Sequence, residues 1–192
     1  YTDKKGRILY FDTKTKAASL IDSTNSGNDW AFGDFAWSSG GRYVAYTFYD
    51  ARDMSRVAVY DTETKTRHVV TTGKYESFAP AFAKDGDWLY FISNRNFSAT
   101  PGSPWGDRNM GPSFSDRGKL YALQLDTDSA FPFEPEDELA SKDDTSDEDE
   151  SEDDTSEDKD SEDESKKEDK EPTINFTDLP SRLWNIPVGS GN

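Results

Sequence analysis

The sequence predicts an all-β chain: a partial β-propeller with four-stranded antiparallel blades, carrying a long acidic loop. Three observations carry this reading. FAWSSGGRYVAYT (35–47) and PAFAKDGDWLYFI (80–92) repeat one another at an offset of 45 residues. RILYFDTKTK (7–16) and RVAVYDTETK (56–65) repeat at an offset of 49. No stretch of ten or more residues carries the 3.6-residue apolar stripe of a helix. Short alternating strands joined by hairpin turns, at a period of ~40–45 residues, are the signature of propeller blades.

Taken in order, the chain opens on the outer half of one blade, with strands at 7–12 and 17–21 joined by the turn DTKTK. A complete blade follows, at 34–37, 42–48, 56–61 and 66–71. Its first turn, Ser38-Ser39-Gly40-Gly41, supplies the positive-φ position that a tight hairpin needs. The copy of that turn, Lys84-Asp85-Gly86, joins strands at 78–82 and 87–93 in a third blade. The third strand of that blade is placed at 119–125, after an insertion at 94–118. The short run at 173–177 is then its fourth strand, and 182–188 starts another blade. The divisions are therefore blades over 1–133, an acidic loop over 134–172, and the closing strand with the next blade's start over 173–192. Trp37 with Phe82, and Tyr46 with Phe91, occupy matched positions and are expected in the core.

Net charge is confined to one stretch. The chain has 39 acidic and 22 basic residues. Residues 134–171 hold 22 of those acids and 5 lysines, so the remainder carries 17 of each sign. The sequence pI of 4.4 thus describes a segment and not the folded surface. That segment has no Val, Ile, Phe, Tyr or Trp between Ala140 and Pro172. It cannot bury enough apolar area to offset its ordering entropy, and reads as a solvated, disordered loop. It sits where the sibling blades carry a five-residue turn. Expanding such a turn to about 45 residues costs only ~2 kcal/mol of loop closure. The neutral remainder shows no basic stripe of the kind nucleic acid requires. Its apolar runs are too short to span a bilayer. Cys is absent, which removes disulfides and thiolate metal sites. A chain that opens on YTDKKG and stops at VGSGN reads as cut from something longer.

Candidate chemistry is sparse, and no cofactor or metal is expected. His68 is the sole histidine and stands in an outer-strand pattern, RHVV. Nothing in the sequence sets a nucleophile beside it, as a triad needs. The acidic run lacks the Gly that a calcium-loop bend requires. Ser151, Ser156 and Ser161, each followed by acids, fit phosphorylation by composition alone. Asp34 and Arg95 stand near strand ends, where side chains reach a channel or rim. The insertion adds Trp105, Arg108 and Phe114 on a long loop, the usual seat of recognition on a rigid scaffold. Arg95, Trp105 and Arg108 are the expected peptide or rim contacts; no residue is assigned a catalytic role.

Four segments, in order, resemble the last propeller of tricorn-type serine peptidases. They are GDFAWSSGGRYVAYT (33–47), YESFAPAFAKDGDWLYFISNRNF (75–97), DSAFPFEPEDE (128–138) and INFTDLPSRLWNIPVGSGN (174–192). The insertion PGSPWGDRNMGPSF and the length of the acidic run depart from the family pattern. In that family two propellers precede a catalytic half with a PDZ-like domain, which holds the serine nucleophile and its histidine base. Neither motif has a counterpart here. The resemblance implies a non-catalytic propeller portion that guides or filters peptides to an active site outside this chain. It further implies peptides, the remaining blades and the catalytic domains as partners, leaves a homo-oligomer open, and places the protein in the cytoplasm, with the periplasm or export as the alternative. Two other readings are a TolB-like protein-binding propeller and the propeller cap of a prolyl-oligopeptidase-type hydrolase.

Overall fold

The computed structural model describes residues 1–24, 31–96, 117–134 and 174–188. They form three antiparallel sheets. The first runs β1 (Thr2–Asp3), β2 (Arg7–Asp12), β3 (Ala17–Ser23). The second runs β4 (Phe32–Trp37), β5 (Tyr43–Tyr49), β6 (Ser55–Asp61), β7 (Thr66–Val69). The third holds β8 (Ser77–Phe82), β9 (Trp88–Ser93), β10 (Lys119–Gln124) and β11 (Leu183–Asn185), paired in that sequence.

The sheets stack face to face, and the strands of the second show why. Val44, Tyr46 and Phe48 of β5, with Ala58 and Tyr60 of β6, pack on Ile8 and Ile21 of the first sheet. Tyr43, Ala45, Val57 and Val59 point the other way, onto Leu89, Phe91, Tyr121 and Leu123 of the third. Successive side chains leave a strand on opposite faces. A strand covered on both faces is therefore apolar throughout rather than alternating, as YVAYTFY is. Each large aliphatic or phenylalanine side chain among these contributes about 1.5–3 kcal/mol once buried.

The repeat extends to turn and bulge geometry. Gly41 and Gly86 both have positive φ (79° and 81°), and each donates its amide to the carbonyl three residues back. Lys16 and Lys65 close the DTKTK and DTETK turns, both at φ 55°. The innermost strands share a bulge, at Gly33/Ala36 in β4 and at Phe78/Ala81 in β8. Within each bulge one residue is left-handed, Asp34 (φ 50°) or Ala79 (φ 53°).

Three expectations need correction. The fourth strand of the third sheet is Leu183–Asn185, not 173–177, and 182–188 does not begin a new sheet. Tyr121 faces Asn185 and Leu123 faces Leu183. Asn175 does donate its amide to Leu125. Its side chain, however, takes the Thr177 amide and hydroxyl. Asp178 then turns left-handed (φ 50°) and a 3-10 helix, Leu179–Arg182, follows. Local side-chain acceptors thus draw this run out of the ladder. Second, Trp37 is half exposed (49 %), whereas Phe82 is half-buried against the core. The positions are equivalent but their neighbours are not. Phe82 faces the second sheet, which has an innermost strand; Trp37 meets Tyr10 of the first, which shows only three strands among the described residues. Third, β1 was not anticipated. Tyr46 and Phe91 are fully buried, as matched positions should be. The acidic run lies outside the described residues, between strands that pair with each other.

Candidate functional site

Antiparallel order puts the loops 50–54 and 70–76, with residues 94–96 and 117–118, at one end of the stack. There the chain leaves β5, β7 and β9. Arg95 is the centre of this end. Its guanidinium lies over the rings of Tyr75 and Tyr121, at 5.3 and 4.9 Å. Cation–π contacts at such distances hold the head group in place. Nε donates to the Ser93 hydroxyl (3.1 Å). Ser93 is itself fixed: it shares a hydrogen bond with Ser77 (3.0 Å) and donates to the Glu76 carbonyl (3.0 Å). Both serines are wholly buried. Asn94 returns to Glu76 twice, from its amide (3.0 Å) and from its side chain to the carboxylate (2.8 Å). Burial raises the Tyr121 hydroxyl pKa and the Arg95 charge opposes that rise, so the phenol stays neutral beside the guanidinium.

The neighbouring arginines are committed elsewhere. Arg52 bonds the Asp50 carboxylate (2.8 Å) and the Gly73 carbonyl (3.1 Å). Arg56 donates to the Thr71 carbonyl (2.7 Å), and burial draws its pKa down. Its guanidinium lies over Phe48, as does that of Arg67, which pairs with Asp22 (3.1 Å). The Arg52 and Arg56 contacts clamp loop 70–76 to the second sheet.

Of the residues singled out from sequence, Arg95 follows β9 at this end. Trp105, Arg108 and Phe114 lie outside the described residues. Asp34 is turned to another task. Its carboxylate accepts the Thr47 hydroxyl (3.0 Å) and, across the sheet boundary, the Ala79 amide (3.1 Å). His68 is not simply exposed. Its ring stacks on Phe176 at 3.6 Å and 7°, and burial lowers its pKa. The Lys84–Asp87 turn is a hairpin turn, closed by the Ala83 amide donating to the Trp88 carbonyl (2.8 Å), with the Asp87 amide donating to the Asp85 carboxylate (3.1 Å). The sequence reading missed Tyr75. The signal was present, since Trp30 and Tyr75 stand at the same 45-residue offset just before an inner strand. Tyr121 carried no such mark. Among the described residues, no His/Cys/Asp/Glu group could hold a metal, and no helix is long and apolar enough to cross a membrane.

Three stacked antiparallel sheets with bulged innermost strands and matched turns define a segment of a β-propeller. The whole chain, 1–192, matches the family described as the tricorn protease second beta propeller domain, and it belongs to that family. It is 31 % identical over 96 residues to the tricorn protease of Thermoplasma volcanium, covering 47 % of this chain and 9 % of that protein. With the tricorn protease of Thermoplasma acidophilum the identity is 29 % over 100 residues, covering 49 % and 9 %. A crystal structure of the tricorn protease superposes with a TM-score of 0.66 at 22 % identity, over 99 % of this chain and 16 % of that one. The chain thus spans about a tenth of the length of its curated relatives.

Proposed function

We propose that this segment is the non-catalytic propeller portion of a tricorn-like serine peptidase that degrades oligopeptides. In this reading it guides or filters peptides to an active site elsewhere in the parent protein. The observation that carries it is the loop end of a tricorn-family propeller, where an arginine is held ready between aromatic rings. Open apolar faces support the further partners. Phe11 and Leu20 of the first sheet are 54 % and 48 % exposed, and Trp184 of the third is 44 % exposed. Apolar area of this kind suits packing against further blades and domains of the same chain.

The test compares two samples on fluorogenic oligopeptides. The full-length protein should cleave them, whereas the 192-residue segment should not. In the full-length protein, Arg95→Glu should lower kcat/KM for long peptides more than for a minimal chromogenic substrate. Turnover by the segment alone that disappears in His68→Ala would overturn the non-catalytic assignment. Equal effects of Arg95→Glu on long and minimal substrates would overturn the guiding role.

A further inference from the structure

We propose that Arg95 is a carboxylate receptor for peptides, reading a free carboxylate at the loop end of the propeller. This rests on the peptide-handling role proposed above and adds the chemical group that is recognised. The inference comes from how the guanidinium is held and what it leaves open. Arg95 is half-buried, with its head group over Tyr75 and Tyr121. Nε is used on Ser93. No carboxylate among the described residues lies within ion-pair distance of it, although Arg7, Arg42, Arg52 and Arg67 each have one. Nor do its two Nη groups have a hydrogen-bond partner among those residues.

A planar guanidinium with both Nη groups available presents a fork that matches the two oxygens of a carboxylate. The stacking rings and Ser93 fix the fork before a ligand arrives, so little rotamer freedom is lost on binding. Glu76, whose carbonyl accepts from Ser93, is not ion-paired with Arg95; its carboxylate accepts the Asn94 side-chain amide. Arg117 adds an exposed cation nearby, its carbonyl accepting from the Asn96 amide (3.4 Å). The site therefore fits an extended peptide that brings one carboxylate to Arg95, from its C-terminus or from an Asp or Glu side chain.

The experiment measures binding of fluorescein-labelled peptides to the full-length protein by fluorescence anisotropy. Three probes of one length are used: an all-alanine free acid, its C-terminal amide, and an amide with one internal Glu. A charge-assisted bidentate contact should make the carboxylate-bearing probe bind about 10- to 100-fold more tightly than the neutral amide. Tighter binding of the free acid assigns the C-terminus; tighter binding of the Glu amide assigns the side chain. Arg95→Gln should erase the preference, and Arg95→Lys should keep part of it, with salt weakening what remains. The wild-type comparison among probes needs no variant, so a folding defect in Arg95→Gln does not blunt the test. If all three probes bind alike and Arg95→Gln changes nothing, carboxylate recognition is refuted while peptide handling stands. If none binds, both fall together.

Discussion

Asp61 and Asp12 open the same turn in two repeats, and the structure predicts that one matters far more than the other. Each carboxylate accepts two turn amides: Lys14 and Thr15 at Asp12, Glu63 and Thr64 at Asp61. Asp61 alone also takes two bonds from Arg42, at 3.1 and 2.7 Å, with its side chain only 5 % exposed. The Arg42 guanidinium, opposed by burial, brings the Asp61 pKa down from 3.8 to about 2. That displacement corresponds to roughly 2 kcal/mol of stability, or a factor of roughly 30 in local opening. Asp61→Asn is the informative change, because an amide still accepts from the turn but carries no charge. At neutral pH, hydrogen exchange of the 55–69 amides should quicken by that factor in Asp61→Asn. In Asp12→Asn the amides of β2 and β3 should respond much less. The sign for pH follows from the depressed pKa. The stabilisation is complete above 3.8, declines as pH falls through that value, and is gone below about 2. Protection in the native protein, corrected for intrinsic rates, should fall across this window, while Asp61→Asn stays flat. Exchange that is unchanged by Asp61→Asn, or equally changed at both turns, would refute the reasoning.

Phe91, 1 % exposed, should cost about 3–5 kcal/mol when truncated to Ala, and half-exposed Trp37 clearly less, as read from denaturant midpoints of the full-length protein. Asp34→Asn should be nearly neutral, since it keeps an acceptor for Thr47 and Ala79 and tolerates the left-handed backbone, whereas Asp34→Ala should cost about 1–3 kcal/mol in the same assay. Burial lowers the His68 pKa, so docking of Phe176 should strengthen as pH rises through 6.5 and weaken below it; exchange of the 174–179 amides reports this, and Phe176→Ala should remove the dependence. Replacing 135–173 with a short Gly/Ser linker, while keeping both packed flanks, should leave exchange of β10 and β11 unchanged or slower, by up to about 1 kcal/mol of loop closure.

What the sequence determined by itself was everything set by near neighbours. The repeats and their hairpin turns located β2 to β10 to within two residues, because a tight turn is set by the few residues that form it. The 45-residue repeat placed Gly41 and Gly86 in equivalent turns, and it paired Tyr46 with Phe91 as core residues. Tertiary structure decided what depends on partners distant in the chain. The strand that completes the third sheet is Leu183–Asn185, because the Asn175 side chain and the Asp178 turn hold the earlier run out of register. Trp37 is half exposed although its repeat partner is packed, because burial belongs to the facing sheet and not to the residue. The candidate site shows the same division. Arg95 could be picked out near a strand end, but its cage joins Tyr75 before β8 to Tyr121 within β10. Those rings come together only when β8, β9 and β10 align, so no local pattern in the sequence could have paired them.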